Sequence, residues 1–103
     1  MKVAYISGHY RGDGTPNSIF ENIIIARQHA LKYWHKGYAV ICPHMNTAMM
    51  DGTCCDEIWL EGDLELLRRC DVIVMLPGWE ESEGAKIEYL EAVRLGLKII
   101  EEE

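Results

Sequence analysis

Glu88 is the acidic side chain whose surroundings fit chemistry best. On a helix its face reads Ala85, Glu88, Ala92 and Leu95, spaced three or four apart. Its neighbours one turn away, Gly84, Ala85, Glu91 and Ala92, include no base to pair with it. Glu91, by contrast, has Arg94 three residues on, which is enough to account for it. A carboxylate among small residues, one to two turns from a helix start, is placed to face a ligand. The competing reading is a solvated helix surface. A second carboxylate, Asp63 in Gly62-Asp63-Leu64-Glu65-Leu66-Leu67, could join it, although an Asp near a helix start is often a cap or dipole partner. Asp71 opens an apolar run and reads as a turn or cap residue.

Anion-binding features lie nearby in the sequence. Ser82-Glu83-Gly84-Ala85 offers a hydroxyl and the free N–H groups of a helix start, which suit phosphate. Gly8-His9-Tyr10-Arg11-Gly12 offers pliable backbone and one guanidinium. It is neither a Walker loop nor a dinucleotide fingerprint, because GxxxxGK[ST] and GxGxxG are both missing. His44 follows Pro43 at the end of an apolar run, whereas His29 and His35 fall within a long helical pattern and read as exposed. No His/Cys clustering suits a metal, no serine sits in a nucleophile elbow, and no cofactor motif is present.

The elements that must carry these residues follow from periodicity. Residues 2–7 form a short apolar run closed by Gly8, which predicts a buried strand. Residues 8–16, with three glycines and a proline, predict a loop. Ser18-Ile19-Phe20-Glu21 fits a capping box. A helix then follows on Ile19, Ile23, Ala26, Ala30 and Trp34, stopped by Gly37. Residues 38–42 predict a second strand, and 44–55 have no clear period. A helix starting near Asp56 or Gly62 runs to about Arg69, then residues 71–76 form the clearest buried strand. Ser82 predicts the cap of a helix ending at Gly96, and residues 98–100 a last strand, with 101–103 a solvated tail.

Apolar strands alternating with helices predict an α/β fold. The expected form is one three-layer domain over residues 1–103, with a mostly parallel four- to five-stranded sheet of the flavodoxin or Rossmann type. Ligands of such sheets bind beyond the strand carboxyl ends, where the strand order reverses. With the first strand central, loops 8–16 and 77–83 flank that point, and they hold most of the glycines and unusual polar residues.

Bulk properties narrow the classes. The 103-residue chain is 49% apolar, enough for one modest core. A net charge of −7 disfavours a nucleic-acid groove. Absence of a signal-like h-region or a membrane-length apolar run predicts a cytoplasmic protein with no membrane partner. Cys42, Cys54, Cys55 and Cys70 contain no CxxC and read as buried or idle thiols, with the adjacent Cys54-Cys55 a weak redox signal.

Three segments together carry a family resemblance: Tyr5-x-x-Gly8-x-x-Arg11-Gly12, the Gly62-Asp63-Leu64 to Val74 run, and Ser82-x-Gly84-x-x-x-Glu88-x-x-x-Ala92. Over nearly its whole length the chain resembles the nucleoside 2-deoxyribosyltransferase superfamily. It is closest to the 2′-deoxynucleoside 5′-monophosphate N-glycosidase branch, and is also similar to short phage and bacterial proteins of that superfamily. The resemblance implies that Glu88 is the nucleophile, Asp63 an active-site aspartate and Tyr5 an orienting hydroxyl. It implies that Ser82 contacts phosphate, with Gly8, Arg11 and Gly12 on the phosphate-side loop. His9 departs from the serine of the hydrolase branch. The implied reaction is hydrolysis of the N-glycosidic bond of a nucleoside 5′-monophosphate, without metal or cofactor. Transfer of the sugar between bases is the alternative, and a non-catalytic nucleotide-binding module is the rival from another class. In that reading Asp63 holds a sugar hydroxyl or helps protonate the departing base. Met45, Met49, Met50 and Trp59 either line a base pocket or fill core. The resemblance also implies a homodimer or larger assembly, for which Ile24, Ile25 and Leu31 are candidate interface residues.

Overall fold

The structure, a computed structural model, describes residues 1–48, 50 and 52–103. The chain runs β1 (Val3–Ser7), α1 (Pro16–His35), β2 (Ala39–Ile41), α2 (Pro43–Asn46), α3 (Asp56–Leu67), β3 (Val72–Met75), a 3-10 turn (Trp79–Glu81), α4 (Glu83–Leu95) and β4 (Lys98–Glu101). The four strands form one sheet in the order β2-β1-β3-β4. Every pairing is parallel, with Tyr5 opposite Ile41 on one side and Ile73 on the other. The sheet is therefore wholly parallel and four-stranded, a Rossmann- or flavodoxin-like sandwich.

Both faces of the sheet are covered, which is why its central strands read as unbroken apolar runs. The period of two sorts each strand between two cores. Ala4, Ile6, Val72 and Val74 pack against Ala26, Ala30 and Tyr33 of α1. Tyr5, Ile73 and Met75 pack on the opposite face against Leu67 of α3 and Ala85 and Ala92 of α4. The chain leaves β1 toward β2 and returns past it to β3, so right-handed crossovers put α1 on one face and α3 and α4 on the other. The order reverses at β1, and the loops after β1 and β3 part there.

Several local expectations are corrected. Helix α1 starts before Ser18: Thr15 is the cap, its hydroxyl accepting from Ser18 N at 3.2 Å, with Pro16 in the first turn. Proline's fixed φ favours the earlier start, and the Ser18 hydroxyl instead accepts from Asp13 N. Tyr33 is buried and Trp34 exposed, because a stripe through Ala26 and Ala30 continues at 33. Pro43, which closes the second strand, also opens the short α2, and that helix runs to Asn46 into the segment read as aperiodic. Helix α3 takes the earlier of its two expected starts, Asp56, whose charge and that of Glu57 suit the positive helix end, and it ends at Leu67. The C-terminal glutamates are not all solvated. Glu102 donates its N–H to Met75 O, and its carboxylate accepts from Lys32 Nζ at 2.7 Å and Tyr33 Oη at 2.6 Å. His29 lies beside it, only partly exposed, with Nδ1 3.9 Å from that carboxylate.

Other expectations hold. Asp71 is a capping residue, its carboxylate accepting from Val3 N at 2.8 Å. Gly96 ends α4 at φ 73°, in the left-handed region that glycine enters without strain. Cys70 is buried, whereas Cys54 and Cys55 are exposed rather than buried, because they stand in the loop that leads into α3. Among the described residues no helix is long and apolar enough to cross a membrane.

Candidate functional site

Helix α4 is built to bring one carboxylate against the sheet. Ser82 caps it, its hydroxyl accepting from Ala85 N at 3.2 Å. Ala85 and Ala92, one turn either side of Glu88, are small enough to let the helix settle on β1 and β3. Glu88 is thereby buried, at 7% exposure, although it carries an ionisable group. Tyr5 and Ser7, two apart on β1, point to the same face of the sheet. Each holds one carboxylate oxygen: Tyr5 Oη donates to Oε2 and Ser7 Oγ donates to Oε1, both at 2.6 Å.

Burial pushes the Glu88 carboxyl up to about 7, against the two hydroxyl donors that favour its anion and with the nearby Asp63 charge adding to the rise. Burial likewise pushes Asp63 up to about 6. Tyr5 is raised well above its ordinary range, by burial first and by the Glu88 charge second, so it stays a protonated donor. Two carboxylates pushed up toward neutrality by burial thus line one cleft, a pattern typical of functional sites.

They open into a cleft of about 530 Å³ at the carboxyl ends of the strands. Gly8, His9, Arg11, His44, Asp63, Ser82, Gly84 and Glu88 all line it. Tyr5 is fully buried beneath, acting through Glu88. Gly12 is set apart: it does not line the cleft, and a side chain there would collide with the Ser18 hydroxyl. Its φ of 58° and that close approach account for the glycine, so its expected contact with a ligand is replaced by a turn role. Arg11 crosses the mouth to Asp56, with Nη2 2.5 Å from Oδ1. His44 donates from Nε2 to His9 O at 2.9 Å and meets the Tyr10 ring edge-on. Burial lowers its pKa below the usual histidine range, so it is neutral at pH 7.

Ser7 is the residue that sequence reasoning missed. Its signal was the alternation along β1, which sets it on the same face as Tyr5. Trp59 lines the cleft, but Met45 and Met50 are exposed elsewhere, and Met49 lies outside the described residues. The wall carries Asp56, Glu57, Asp63, Glu81, Glu83 and Glu88 against the one guanidinium of Arg11. Among the described residues no cluster of His, Cys, Asp or Glu is suited to hold a metal.

No curated protein matches this sequence. Residues 1–101 match the family described as a domain of unknown function, DUF4406, and the chain belongs to that family.

Proposed function

We propose that the protein cleaves the N-glycosidic bond of a nucleoside 5′-monophosphate, with Glu88 as nucleophile. The observation that carries this reading is the buried Glu88 carboxylate, fixed through both oxygens by Tyr5 and Ser7 at the floor of an open cleft. Its resemblance to the deoxyribosyltransferase superfamily points the same way. Glu88 attacks C1′ of the sugar; the C1′–N bond breaks, and the departing nitrogen takes a proton from solvent. The result is a glycosyl ester on Glu88, as in a retaining glycosidase. Asp63, ionised above about pH 6, accepts a sugar hydroxyl and offsets the positive charge that develops on the ring. Water then attacks C1′, giving its proton to Asp63 and freeing Glu88. If a second base attacks instead, the same site is a transferase.

Arg11 and the N–H groups at the start of α4 suit the 5′-phosphate. A second reading, an uncharged nucleoside, is favoured by the acidic wall and by the Arg11–Asp56 pair, which already occupies the guanidinium. The test is to incubate the protein with deoxynucleosides and their monophosphates and to follow free base, alongside thermal melts. A ligand at a hundredfold excess over Kd stabilises by about 2.7 kcal/mol, a Tm rise on the order of 10 °C for a chain this size. The monophosphate is expected to release base and to raise Tm more than its nucleoside. Equal shifts favour the transferase on a nucleoside, and no base release from any of them removes the enzymatic reading in favour of a binding module.

The protein is also proposed to self-associate. Phe20, Ile24, Ile25 and Leu31 are all more than one-third exposed on α1, an apolar surface a second copy would cover. Sedimentation is expected to show a concentration-dependent dimer or larger species; a strict monomer at all concentrations removes this proposal.

A further inference from the structure

We infer that Ser7 is a positioning residue, which holds the plane of the Glu88 carboxylate and lowers the pH at which that group becomes an anion. This inference deepens the glycosidase reading and rests on it only for its catalytic half. Ser7 is 1% exposed, and its hydroxyl lies 2.6 Å from Oε1 of Glu88. An aliphatic side chain would suit this buried strand position better, unless the hydroxyl were required. The strand cannot shift to release the contact, because β1 is paired on both edges: Tyr5 is opposite Ile41 and Ile73, and Ser7 is opposite Met75. Nor can the helix, which rests on Ala85 and Ala92. The two hydroxyls thus grip the carboxylate from one side, each engaging one oxygen and leaving lone pairs free toward the cleft.

The titratable groups facing Glu88 come from two elements. Tyr5 on β1 stays a neutral donor, and Asp63 on α3 opposes ionisation of Glu88 by its charge. β3 presents the apolar Ile73 and Met75 to this core. Arg11, His9, His44, Glu81 and Glu83 stand along the cleft wall. Ser7 and Tyr5 are the two groups that donate hydrogen bonds to the anion, so they act against burial and against Asp63. A hydrogen bond to a charged group, lost, is worth about one pH unit in the titration of that group.

Ser7→Ala is the test, read in two ways. The first is the Glu88 side-chain carboxyl followed by carbon NMR through a pH titration of the free protein, which needs no substrate. Its midpoint is expected to move up by about one unit relative to wild type. The second is base release against pH. The variant is expected to lose about fivefold at pH 7 and to recover most of that loss by pH 9, because its rising limb has moved to higher pH. An unmoved midpoint, or a loss equal at every pH, overturns the inference. If wild type releases no base, the glycosidase reading fails by itself, and the midpoint shift still decides whether Ser7 controls the charge on Glu88.

Discussion

Replacing Glu88 by Gln is expected to abolish base release, with a loss on the order of a thousandfold or more. The substitution is nearly isosteric and keeps partners for both hydroxyls: the amide oxygen accepts from one, and the amide N–H₂ donates to the other. What it removes is the carboxylate oxygen proposed to form the bond to C1′. The loss should therefore fall on turnover, while binding, read as ligand-dependent Tm, changes little. Residual activity above a tenth of wild type means that another group attacks the sugar or that the cleft has a different chemistry.

The same variant is expected to be more stable than wild type at alkaline pH. Glu88 has its folded pKa raised from 4.5 to about 7. The folded chain then holds a proton that the unfolded chain has released, so wild-type stability falls as pH rises between those values. Below about pH 4 both states are protonated and the carboxyl behaves as a neutral group, much like Gln. Above about pH 8 the folded wild type keeps a buried anion that the variant lacks. The expected gap is about 3 kcal/mol in favour of Glu88→Gln at pH 8.5, closing toward zero at pH 4. Urea midpoints with an unchanged slope at the two pH values measure it directly. Asp63 follows the same direction from 3.8 to about 6, but it is present in both proteins and cancels in the difference. A variant less stable than wild type at pH 8.5 would mean that the carboxylate, held by its two hydroxyls, stabilises the fold. Gain of stability on loss of a reactive group is the usual mark of a site whose strain serves function.

Most of the architecture was legible in the residues because parallel strands buried on both faces leave a plain apolar signature, and residues 71–76 carry it most clearly. Gly37 and Gly96 stop their helices as expected, both at positive φ. Glu88 was legible for a subtler reason: its helix face holds alanines where a solvated glutamate would have bases nearby. What sequence could not supply was anything that depended on long-range packing. Ser7 looked like the last residue of a strand, and its bond to Glu88 forms only when α4 lies across it. Arg11 looked like a free cation, yet Asp56 meets it from 45 residues away. Glu102 looked like tail, and Lys32 and Tyr33 draw it in. Gly12 was set on a phosphate-side loop by resemblance alone, and the Ser18 hydroxyl that stands against it is seen only in the fold.

The parallel sheet also sets a timetable for synthesis. Tyr5 and Ser7 leave the ribosome before Glu88, which follows them by 83 and 81 positions. β1 likewise has no partner on its β3 side until residues 71–75 emerge, since Ala4 must wait for Val72 and Val3 N for the Asp71 carboxylate. Every strand pairing in the molecule closes a long loop before it returns any contact, which makes such a sheet slow to form for its size. A nascent or truncated chain that stops short of α4 would hold both hydroxyls and lack the Glu88 carboxylate that they grip. The two hydroxyls and their carboxylate therefore come together only with the packing of α4 that completes this face of the core.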